Sequence, residues 1–108
     1  SLYVLSEEQR LDFSQNVKKM ETAAKAAFGA AMCNWTCLMN LAYQKSPPDP
    51  HVHWHFRPRY SKPVNFADLT FEDESFGHHY KQGTDRKVQD GVRKMITKEY
   101  KKAISIIA

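Results

Sequence analysis

An α+β fold, with an antiparallel sheet, a long N-terminal helix and a C-terminal helix, is predicted by three observations. A capping box opens a stretch of apolar residues at helical spacing, two later stretches alternate about a proline-rich turn, and a second helical pattern closes the chain. The 108 residues fit one domain, and with 42% apolar and 12% aromatic residues they can form a core. The ordinary charge fraction and the lack of low-complexity segments argue against disorder.

In "SEEQ", Ser6 has the N-cap role and Gln9, three residues on, the reciprocal one. Phe13, Val17, Met20, Ala24, Ala27 and Phe28 then recur at three- and four-residue steps, and Gly29 suits a left-handed C-cap. From Met32 to Tyr43 the period changes. Cys33, Trp35, Cys37, Met39, Leu41 and Tyr43 occupy odd positions, with Asn34, Thr36 and Asn40 among the even ones, which predicts a half-buried strand. "KSPPDP" (Lys45 to Pro50) reads as a turn, because three prolines remove ladder donors. The segment "HVHWHFRPR" follows as a second strand, so an antiparallel hairpin is expected. Ser61 to Gly83 reads as a long connection with aromatics and the acidic run "FEDES". From Thr84 onward, Val88, Val92, Met95, Ile96, Tyr100, Ala103, Ile104 and Ile107 predict the second helix, with Gly91 inside it.

Composition narrows the function classes. No apolar run approaches the ~18 residues of a membrane span, and no basic-then-apolar segment opens the chain, so a soluble, cytoplasmic protein is expected. Cys33 and Cys37 make no disulfide framework and are expected to be reduced, as small core residues. Of the net charge of +4, the stretch from Lys81 to Lys102 holds eight Lys or Arg against three Asp or Glu. That excess reads first as a solvated helix face, and without a recognition motif no nucleic-acid partner is expected.

The histidine strand carries the chemistry. His51, His53, His55, Arg57 and Arg59 share one face, and Val52, Trp54 and Phe56 the other. The second set reads as core. The first cannot be core as well, since three imidazoles and two guanidiniums would all need buried partners. Three imidazoles could bind zinc, but same-face strand residues lie about 7 Å apart, and two arginines repel a cation. They suit phosphate, which a guanidinium grips with paired hydrogen bonds. A neutral imidazole can attack phosphorus if its other ring nitrogen donates to a backbone carbonyl, while a second imidazole assists the leaving group. Asn40 could reach the same face from the neighbouring strand. Trp35 and Trp54 read as core, and His78 and His79 as surface or structural residues.

"HVHWHFR" resembles the H-φ-H-φ-H-φ-φ signature of the histidine triad (HIT) superfamily of nucleotide hydrolases and transferases. The flanks "NWTCLMN", "PRYSKPVNF" and "FEDESFGHHY" are similar to bacterial members related to dinucleoside polyphosphate hydrolases, over about Leu5 to Tyr80. The resemblance implies a HIT-like antiparallel sheet in a single domain, commonly a homodimer, acting on a nucleotide without an obligatory metal or cofactor. It implies that His53 is the nucleophile on the α-phosphorus, that His51 orients it, and that His55 binds phosphate oxygens or assists departure. Asn40 matches the phosphate-site asparagine, with Asn34, Arg57 and Arg59 as further phosphate- or nucleotide-binding candidates. The chain departs from the pattern in three ways. Arg57 stands at the last φ, "KSPPDP" replaces the Gly-Gln-Ser/Thr stretch, and the strands and histidine expected before the first long helix have no counterpart before Ser1. The alternatives are a nucleotide-binding module with weakened catalysis and, third, a His-ligated zinc protein.

Overall fold

The computed structural model describes residues 2–79 and 86–107. Among these residues the architecture is mixed α+β, with three α-helices and two small antiparallel sheets. A short 3₁₀ turn, Leu2–Val4, precedes α1 (Glu7–Phe28). The chain continues through β1 (Met32–Thr36), α2 (Asn40–Gln44), β2 (His55–Arg59), β3 (Val64–Phe66), β4 (Leu69–Phe71) and α3 (Asp90–Ile107).

The expected signals bound α1. The Gln9 amide donates to Ser6 Oγ at 3.1 Å, and the Ser6 amide donates to Gln9 Oε1 at 2.8 Å. At the far end Gly29 is left-handed (φ 73°), and its amide donates back to the Lys25 carbonyl. Ala23 and Ala24 of α1 and Ala103 of α3 are buried where the two helices pack. Small residues there let the helix axes approach closely. The C-terminal helix begins at Asp90, later than expected: residues 86–89 are not helical, so Val88 precedes it, and Thr84 lies outside the described residues.

β1 and β2 pair antiparallel, Thr36 opposite His55, Asn34 opposite Arg57 and Met32 opposite Arg59. Residues directly opposite each other share a face. One face of the pair therefore carries Cys33, Trp35 and Phe56, and α1 covers it through Phe13. The Phe13 ring meets Trp35 edge-on at 5.8 Å and stacks on Trp54 at 4.4 Å, and Trp35 lies 4.6 Å from Phe56. Both tryptophans thus sit in the aromatic cluster between helix and sheet, as expected. The Trp35 indole nitrogen is buried without a hydrogen-bond partner.

Two expectations are corrected. The first strand ends at Thr36 instead of continuing to Tyr43, because Leu38 and Ala42 interrupt the alternation with apolar even positions and Asn40–Gln44 turns into a short helix. Its Tyr43 amide donates to the Met39 carbonyl, and Asp49 returns to the Ala42 carbonyl. The two strands are therefore joined by a connection containing α2, not by a tight hairpin loop. The second strand begins only at His55, so His51 and His53 lie in the extended segment leading into it.

The connection after β2 holds a hairpin absent from the sequence reading. Ala67 and Asp68 both have positive φ (52° and 62°), the left-handed pair that a two-residue hairpin loop requires. Alanine adopts that region at a cost of roughly 1–2 kcal/mol. Ala67→Gly is therefore expected to raise the thermal midpoint, with a gain of up to about 1 kcal/mol in denaturant unfolding. Phe66 of this hairpin and Tyr100 of α3 close on Phe28 at 5.3 and 5.2 Å, leaving an apolar cavity of about 170 Å³ between them.

Candidate functional site

The side of the sheet turned away from α1 carries the candidate residues. His51 and His53 are brought together by the extended approach to β2, their ring centroids 5.0 Å apart, and His53 lies 5.2 Å from His55. The His53 Nδ1 sits 3.0 Å from the His51 carbonyl oxygen. A carbonyl can only accept, so Nδ1 is the donor, and the neutral form of this ring has its lone pair on Nε2. The bond spans two residues of extended chain, so it comes from the same i, i+2 spacing that lines up the rings. His51 and His55 are exposed and His53 is half-buried. Among the described residues no group of three His, Cys, Asp or Glu side chains is placed to hold a metal ion.

The candidate phosphate residues do not share one fate. Asn40 is exposed at the start of α2, and since β1 ends at Thr36, no strand position carries it across to the imidazole row. The cross-strand neighbour of His55 is Thr36 instead. Arg57 follows His55 on the same face and donates to Thr36 Oγ1 at 3.4 Å.

Arg59 corrects a second expectation. It is 4% exposed, the one buried polar or charged residue among those described. Nε donates to Asp73 Oδ2 at 2.6 Å and Nη2 to Asp73 Oδ1 at 3.0 Å, a bidentate pair. Nη1 donates to Asn34 Oδ1 at 2.9 Å and to the His78 carbonyl at 2.6 Å, and Nη2 reaches the Ser75 carbonyl at 2.6 Å. A guanidinium has five N–H donors, and these five bonds engage them all. Arg59 therefore ties the Asp73–His78 turn to the sheet and has no donor left for a phosphate. The hydrogen bonds from Arg59 hold the Asp73 carboxyl below the usual carboxylate range, against the opposing effect of burial, and the Tyr60 amide adds to this at 3.3 Å.

That turn builds a cleft. Asn34, Thr36, Arg57, His78 and His79 line a volume of about 520 Å³ together with Cys33 and Trp35. His78 and His79 follow the turn at residues 74–77, are both exposed and border this cleft, in keeping with the surface or structural roles expected of them. The residue sequence reasoning missed at this face is Thr36; its signal was the cross-strand register. Cys33 and Cys37 are free thiols, and burial, with Glu21 as a smaller cause, pushes the Cys33 thiol up.

Elsewhere, Arg93, Lys94, Thr97, Lys98 and Lys101 lie together along α3. The ion pair of Arg93 with Asp90 there is almost fully solvated and contributes little. No helix among the described residues is long and apolar enough to cross a membrane. In comparisons with known proteins, no family model, no curated protein and no solved structure matches this chain.

Proposed function

We propose that this chain is a nucleotide hydrolase or transferase of the histidine triad type, cleaving a phosphoanhydride or phosphoramidate at the α-phosphorus. The observation that supports the reading is the contact between His53 Nδ1 and the His51 carbonyl at 3.0 Å. With Nδ1 so engaged, the neutral ring has Nε2 as its nucleophilic atom, on a half-buried ring between two other imidazoles. Nε2 attacks phosphorus, forming a P–N bond as the bond to the leaving group breaks and its electron pair departs with that group. A protonated His55 hands the leaving group its proton. Water or an acceptor hydroxyl then attacks phosphorus, the P–N bond breaks with its electron pair returning to His53, and the attacking group's proton passes to His55, restoring the enzyme. His51 positions the ring through its backbone, and Thr36, opposite His55, offers a hydroxyl to a phosphoryl oxygen.

A second reading, a nucleotide-binding module without turnover, draws support from Asn40, which stands off the sheet in α2. One experiment separates them. The protein is mixed with a nucleoside phosphoramidate or polyphosphate, quenched in alkaline denaturant, which preserves phosphorus–nitrogen bonds, and analysed by peptide mass spectrometry. The expected result is a nucleotidyl group on the peptide carrying His53. Nucleotide binding with no adduct and no product would decide for the module.

A further inference from the structure

We infer that the cleft beside the imidazole row is a second oxyanion subsite, centred on Asn34 and Arg57, with Thr36 on its border with the row. It takes an anionic group of the ligand other than the phosphorus at His53. The identity of the ligand rests on the reading above; the chemistry of the cleft stands on its own residues.

Three features carry the inference. First, the register places Asn34 opposite Arg57 and Thr36 opposite His55, so the cleft continues the imidazole row along one face of the sheet. Consecutive same-face positions on a strand are about 7 Å apart, so a group over Arg57 lies one such step beyond a group over His55. Second, the Asn34 amide has its orientation fixed. Arg59 can only donate, so the amide atom 2.9 Å from its Nη1 is the oxygen. With the oxygen engaged by the buried guanidinium, the part of the Asn34 amide left for a ligand in the cleft it lines is the NH₂ group, a donor. Third, among the described residues the lining offers the Arg57 guanidinium and no carboxylate, with His78 and His79 beside it. Arg59 lines the cleft too, but its charge is met by Asp73 and its donors are engaged. An amide NH₂, a hydroxyl and a guanidinium along one cleft are donors suited to an oxyanion such as a phosphate.

The bond from Arg59 also supplies a clean test. Asn34→Asp keeps an oxygen acceptor for Arg59 but replaces the remaining NH₂ by a carboxylate oxygen. A merely structural Asn34 would tolerate that change; an oxyanion site would not. Inorganic pyrophosphate is titrated into the wild type, N34D and H53A, followed by calorimetry and by the side-chain resonances of Asn34, His78 and His79. The expected result is binding to the wild type and H53A with those resonances shifting, and at least tenfold weaker binding to N34D at an undiminished thermal midpoint. Arg57→Gln, which leaves the Arg59 network untouched, is expected to weaken pyrophosphate similarly. Unchanged affinity in N34D, no binding to the wild type, or shifts confined to His51, His53 and His55 would each overturn the subsite. Should H53A keep its turnover, the triad reading fails while the cleft result stands; should only N34D behave as wild type, the reverse holds.

Discussion

His53→Ala is expected to abolish turnover of a nucleotide substrate, by at least about three orders of magnitude in kcat, while leaving the fold intact. The loss is large because the covalent route has no other attacking atom once the imidazole is gone. The fold is insensitive because the ring is half-buried and makes one local hydrogen bond, to the His51 carbonyl, whose net worth is about 1 kcal/mol. His51→Ala provides the internal control. It removes the exposed ring but keeps the carbonyl that holds His53 Nδ1, so the tautomer survives and the loss is expected to be much smaller. Steady-state kinetics and a melting curve on both variants check this. Activity retained in H53A would eliminate the mechanism, and equal losses in the two variants would mean that the backbone contact does not position the nucleophile.

The imidazole row was legible from the sequence because its signal is local. Three histidines at alternate positions in extended chain put their rings on one side whether or not the segment is paired. The alignment therefore survives even though β2 begins only at His55. The capping box and Gly29 were legible for the same reason, since both act within a single helical turn. What was not legible depends on register and on distant partners. Alternation from Cys37 to Tyr43 fits a strand by count, but apolar Leu38 and Ala42 also fit a turn of helix, and pairing with β2 runs out at Thr36. The β3–β4 hairpin has alanine and aspartate at its left-handed positions, where the usual signal is glycine or asparagine. Arg59 differs from Arg57 in nothing that periodicity can detect; both continue the histidine face. Only the return of "FEDES" over the sheet, fourteen residues after Arg59, makes one of them an anchor.

That anchor leads to the largest stability effect expected in the molecule. Asp73→Asn preserves shape but leaves the Arg59 guanidinium, 4% exposed, without its counter-charge. Breaking a buried pair by removing one partner costs roughly 3–5 kcal/mol, several times a solvated pair such as Asp90 and Arg93. For a chain of this length that corresponds to a fall in thermal midpoint of more than about 10 °C. The same pair sets a pH dependence whose sign follows from Asp73. Its carboxyl titrates lower in the folded protein than in the unfolded chain, chiefly through the hydrogen bonds from Arg59. The unfolded chain therefore takes up the proton first as pH falls, at about 4. The stabilisation from Asp73 is complete well above that value, begins to decline below about pH 5, and is gone once pH passes below the depressed folded value. Denaturant unfolding of the wild type from pH 7 to pH 3 is expected to show this decline, and D73N, already destabilised at pH 7, is expected to lack the part due to Asp73. Because Arg59 also fixes Asn34 and the His78 turn, pyrophosphate binding in the cleft is expected to weaken along with stability in D73N. In N34D, by contrast, binding alone changes. A D73N protein as stable as the wild type would mean that the five-bond network around Arg59 does not hold the turn to the sheet.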